Sequence, residues 1–135
     1  MGRAAVIVLD THIWVWWFND DPALPQSCRE VITTHLPDGL GVSVFSCWEV
    51  AMLVAKGRLR LTVPVETWIH SALSPPEVRL LELTPSIAIE STVLPGNVHN
   101  DPADRIIIAT ARAARCPLVT LDQQIRQYPH VTTLP

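Results

Sequence analysis

Four acidic side chains carry the chemistry this sequence suggests: Asp10, Glu49, Asp104 and Asp122. Asp10 follows the apolar run Ala4–Leu9, and Asp122 follows Leu118–Leu121; both runs read as strands buried on two faces of a parallel sheet. In open α/β sheets the carboxyl ends of the strands form the ligand crevice, so both acids point to one place. Glu49 and Asp104 read as first-turn residues of helices that follow strands, and those helix ends face the same crevice. Four clustered carboxylates repel one another when unpaired. A hard divalent cation with a preference for oxygen, Mg2+ or Mn2+, removes that cost.

Each acid also has a structural explanation. Glu49 lies three residues after Ser46, the spacing of a capping box. Asp104 lies three after Asp101, where a carboxylate complements a helix dipole. Asp122 is a good helix cap. Asp10 resists this treatment, because a charge closing a strand buried on both faces needs a task. The convergence of four segments, more than any one residue, points to a site.

The elements that position these acids follow from the pattern of the chain. Strands are expected at Ala4–Leu9, Leu40–Ser43, Val78–Leu83 and Leu118–Leu121, with an edge strand at Val131–Thr133. Helices are expected at Thr11–Phe18, Pro25–His35, Ser46–Lys56 closed by Gly57, Val63–Leu73, Pro85–Leu94 capped by Thr84, and Pro102–Arg115 capped by Asp101. Strands alternating with helices imply a parallel sheet with helices on both faces, a three-layer α/β/α sandwich. With 135 residues, 48% of them apolar and 17% charged, the chain fits one domain spanning 1–135.

Cys28, Cys47 and Cys116 show no paired or metal-type spacing and read as free thiols of a reducing, cytoplasmic compartment. The first apolar run is broken too early by Asp10 and His12 for a secretory signal, and no stretch is long enough for a membrane span. The net charge of −3 is not the basic balance usual for nucleic-acid binding. Assigning four of the 13 acids to metal offsets that objection. Arg58, near Lys56 and Arg60, and Arg105 are the candidate phosphate contacts. For Lys56 the helix dipole is the better account.

The run Ile13-Trp14-Val15-Trp16-Trp17-Phe18 covers the whole circumference of a helix. Three large indoles suggest that Trp14, Trp16 and Trp17, with Met52 opposite, line a partner groove.

Val8-Leu9-Asp10-Thr11-His12, Ser43 to Ala51, His99 to Ala111 and Leu118 to Asp122 together resemble the four acidic motifs of the PIN-domain ribonucleases, and in particular the VapC-type toxins of bacterial toxin–antitoxin pairs. The motifs occur in the family's order, and the resemblance spans nearly the whole chain. It implies a PIN-like fold, a Mg2+- or Mn2+-dependent endoribonuclease acting on RNA, a homodimer, and a cognate antitoxin that blocks the site. Carried over by position, the metal-binding and catalytic acids are Asp10, Glu49, Asp104 and Asp122. Thr11 and Thr120 become polar supporting positions, with Thr11 near enough to meet substrate. His99, Asp101 and Arg105 also match the subgroup, Asp101 being read mainly as the helix cap.

No Ser–His–Asp or Cys–His pattern offers a protein nucleophile. Metal must therefore acidify the attacking water, and four carboxylates suffice for two ions about 4 Å apart. The rival readings are a non-catalytic α/β module, either receiver-like or an inactive PIN domain acting through partner binding. A receiver wants an acidic pair after the first strand and a late lysine; here Asp10 stands alone and Lys56 is the one lysine. A Rossmann enzyme is excluded by the missing Gly-rich turn.

Overall fold

The computed structural model describes residues 5–98 and 100–135. Five strands form one sheet: β1 (Ile7–Leu9), β2 (Leu40–Ser43), β3 (Val78–Leu81), β4 (Leu118–Val119) and β5 (Thr133–Leu134). Their order is β3-β2-β1-β4-β5, and every pairing is parallel. The order runs outward from β1 in both directions, so the chain reverses its progress between β1 and β4. That is where the loops part and a ligand crevice opens. A receiver-type fold places its strands 2-1-3-4-5, so this topology excludes the receiver alternative.

Among the described residues, seven α-helices accompany the strands: α1 (Thr11–Phe18), α2 (Gln26–His35), α3 (Val44–Ala55), α4 (Val65–Leu73), α5 (Pro85–Thr92), α6 (Pro102–Ala114) and α7 (Gln123–Gln127). Alternation along the strands divides the core between two faces. Ile7, Leu9, Leu40, Val42 and Val119 pack with residues of α1, α2, α3 and α4. Val8 and Leu118 pack with residues of α5, α6 and α7. This is the expected three-layer sandwich.

Local chemistry explains the boundaries. Thr84 accepts from the Ile87 amide to start α5, and Asp101 accepts from the Asp104 amide to start α6. Helix α3 ends as Gly57 predicts. Gly57 has φ +71°, its amide donates to Val54 and that of Arg58 to Leu53, the paired bonds of a Schellman motif. Gly41 is needed for another reason: a Cβ there would lie 2.8 Å from Leu81 Cδ1 and 3.0 Å from Ala5 Cβ. No helix among the described residues is long and apolar enough to cross a membrane.

The aromatic run of α1 corrects one expectation. Trp14 is fully buried. Its indole meets Trp68 edge-on at 4.9 Å and directs Nε1 toward the Ala72 carbonyl, while Phe18 also meets Trp68 edge-on at 5.7 Å. Trp14 thus fastens α1 to α4 and cannot line a partner groove; α4 supplies a second covering surface that the run itself does not reveal. Trp14→Ala is expected to cost about 3–5 kcal/mol of stability, measured by chemical denaturation. A cost under about 1 kcal/mol would contradict this packing.

Candidate active site

Asp10 is the first residue beyond β1, and its amide still donates to the Val119 carbonyl of β4. Its carboxylate is fixed from two sides. Oδ1 accepts from the Thr11 amide at 2.8 Å, and Oδ2 accepts from the Thr120 hydroxyl at 2.7 Å. The Thr120 hydroxyl also receives the Asp122 amide at 3.1 Å, tying the two strand ends together. Asp122 in turn caps α7 by accepting from the Ile125 amide.

Glu49 is positioned by a buried hydroxyl. Thr11 Oγ1 donates to Glu49 Oε1 at 2.6 Å and lies 2.8 Å from the Ser46 hydroxyl, so the three groups form a chain of hydrogen bonds. The capping box inferred from Ser46 and Glu49 is not formed. Helix α3 begins two residues earlier, with Ser43 accepting from the Phe45 amide. Ser46 is therefore inside the helix and fully buried, and Glu49 lies in the second turn. The sequence offers two serines of similar capping quality, Ser43 and Ser46, and packing of Ser46 against Thr11 selects the first.

Asp10, Glu49, Asp104 and Asp122 line one cavity of about 500 Å³, together with Thr11, His12, Ile13, Trp16, Asp101 and Leu121. Asp101 and His12 had no place in the expected acid set. Asp101 both caps α6 and faces the cavity, a double role that its capping position hides. His12 follows Thr11 in the first turn of α1, and its place on the cavity wall depends on how α1 is rotated about its own axis, which the sequence alone leaves open.

Electrostatics follow from this crowding. Burial pushes the Asp104 carboxyl up to about 7, with Asp101, Asp10, Asp122 and Glu49 adding to the shift in that order. Burial also raises Asp10, against the lowering effect of its Thr120 and Thr11 hydrogen bonds. Glu49 is raised by burial, opposed by the Thr11 hydrogen bond and aided by Asp10 and Asp101. Such a set of oxygen donors lining one cavity fits a hard divalent cation. Among the described residues no three His, Cys, Asp or Glu side chains are gathered closely enough to grip one ion by themselves.

The candidate phosphate contacts are not part of the cavity wall. Arg105 points Nε at the Ser91 carbonyl, 2.7 Å away, and so joins α6 to α5. Arg58 is exposed beyond the end of α3, where its backbone completes the Schellman motif. Trp16, Trp17 and Met52 keep part of their surface open, and of these Trp16 lines the cavity. His99 lies outside the described residues.

Residues 7–131 match the PIN domain model, most of the chain and all four acids. The chain belongs to the PIN domain family. This PIN domain is 34% identical over 124 residues to ribonuclease VapC22 of Mycobacterium tuberculosis, covering 92% of each chain. Its fold superposes on VapBC2 of Rickettsia felis, solved with a DNA fragment from their promoter, with a TM-score of 0.70, 17% identity and coverage of 95% and 96% of the two chains. A toxin–antitoxin complex from Klebsiella pneumoniae matches with a TM-score of 0.66 and 21% identity, covering 94% and 96%.

Proposed function

We propose that this chain is a Mg2+- or Mn2+-dependent endoribonuclease and the toxin of a toxin–antitoxin pair, forming a homodimer. One observation carries the catalytic part: four carboxylates from four separate segments line one cavity beyond the ends of β1 and β4, where burial and the neighbouring acids push the Asp104 carboxyl up to about 7. The named activity of VapC22, at 34% identity over nearly the full length, supports RNA as substrate. The Klebsiella pneumoniae neighbour, itself a toxin–antitoxin complex, supports an antitoxin partner. The antitoxin contact is assigned to the flank of α1 and α3, where Trp16, Trp17 and Met52 remain partly open.

In this reading Asp10, Glu49, Asp104 and Asp122 hold the metal. When bound, the metal lowers the pKa of a water and neutralises charge on the scissile phosphate. The chain's own residues supply rigidity. Thr120 and the Thr11 amide lock the Asp10 carboxylate, and the Thr11 hydroxyl orients Glu49. Ile13 and Leu121 give the cavity apolar walls that strengthen the electrostatics within.

The test is cleavage of a labelled single-stranded RNA by the purified protein. Cleavage is expected with Mg2+ or Mn2+, loss of it in excess EDTA, and recovery when the metal is restored. Full activity in EDTA would overturn the metal mechanism. Absence of cleavage with either metal would favour the inactive PIN domain.

A further inference from the structure

The acid cavity has one aromatic wall. His12 and Trp16 stand one turn apart on α1, with ring centroids 5.7 Å apart and planes inclined at 55°, and both line the cavity that holds the carboxylates. His12 is exposed and Trp16, partly buried against the core, keeps some of its surface open, whereas Trp14 and Trp68 close by are buried. The fold therefore has an aromatic core on this side of the sheet and still leaves these two rings at the mouth of the cavity. A ring pair on a helix also supports the helix, but that role does not need an opening onto the site.

A phosphodiester placed among the carboxylates brings its own ribose and base into the same cavity. The carboxylate side is given over to metal and phosphate, and the aromatic side offers a flat apolar face on which a base can stack. We propose that Trp16, edged by His12, is a stacking platform for the nucleobase next to the scissile phosphate, which makes unpaired RNA the form of substrate the site accepts. This rests on the nuclease reading and deepens it. Bases within a duplex already stack on their neighbours and present no free face, while splayed bases in single strands and loops do. Stacking accepts every base, so the platform places the strand without reading its sequence.

The test combines abasic substitution in the RNA with substitution of Trp16, measuring KM and kcat separately. With the parent protein, an abasic site at one position flanking the cut is expected to raise KM roughly 5- to 150-fold with kcat little changed. Trp16→Ala should raise KM on intact RNA by a similar factor and lose little more on the abasic RNA; Trp16→Phe should keep most of the parent's KM. The proposal is overturned if every flanking abasic RNA is cut like the intact one. It is equally overturned if Trp16→Ala weakens intact and abasic RNA by the same factor, or if Trp16→Ala lowers affinity for the antitoxin while KM for RNA is unchanged. Should Trp16→Ala fail to fold, the abasic series on the parent and Trp16→Phe decide the matter. A parent that cuts no intact RNA with Mg2+ or Mn2+ removes the nuclease reading, and the platform with it.

Discussion

Asp104→Asn is expected to reduce RNA cleavage by at least about 100-fold while raising the melting temperature of the metal-free protein at neutral pH. The same crowding accounts for both effects. Burial and four neighbouring carboxylates lift Asp104 from its ordinary 3.8 to about 7. The folded protein therefore binds this proton more tightly than the unfolded chain does. Below about pH 4 both states are protonated and the group costs nothing. As pH rises toward 7 the unfolded chain ionises first, and the folded state loses stability until Asp104 ionises as well. The gain from Asn should thus be present at pH 7–8 and fade toward pH 4. Mg2+ should raise the melting temperature of the parent more than that of the variant, since ligand binding to the folded state adds stability. Melting curves from pH 4 to 8 with and without Mg2+, beside the RNase assay, check this. A variant that cleaves like the parent would remove Asp104 from the site.

Glu49→Gln and Ser43→Ala should separate catalysis from helix capping. Gln keeps an oxygen that can accept from the Thr11 hydroxyl but lacks the charge a hard cation requires. The expected result is an activity loss of roughly 10- to 100-fold or more with stability held or slightly raised, because burial already disfavours the Glu49 anion. Ser43→Ala removes the acceptor for the Phe45 amide and should cost about 1 kcal/mol, with activity per folded molecule retained. If Glu49→Gln is as active as the parent, only three acids work.

Much of the fold was legible because local signals and global packing agree. Leu40–Ser43 and Thr11–Phe18 have the boundaries their patterns indicate, and Gly57, Thr84 and Asp101 each cap the expected helix. Strand ends were less legible: the run Leu118–Leu121 pairs only over Leu118–Val119, since Thr120 leaves the sheet to hold Asp10. Asp10 and Asp122 follow strand runs and Asp104 opens a helix as their patterns indicate, whereas Glu49 falls in the second turn of α3 instead of the first. The Thr11–Ser46–Glu49 chain was not, because it joins residues 35 and 38 positions apart whose hydroxyls look like ordinary capping groups. Trp14 misled for a related reason. Its partner Trp68 sits on α4, and nothing in the aromatic run itself announces a distant covering helix.

The bond from Thr120 to Asp10 links the first strand of the sheet to the fourth across 110 positions. A chain emerging from the ribosome holds its first acid early, yet that carboxylate lacks its second anchor until β4 slots in beside β1, after most of the polypeptide has been made. Fragments ending before Thr120 carry three of the acids without the hydrogen bond that holds the first.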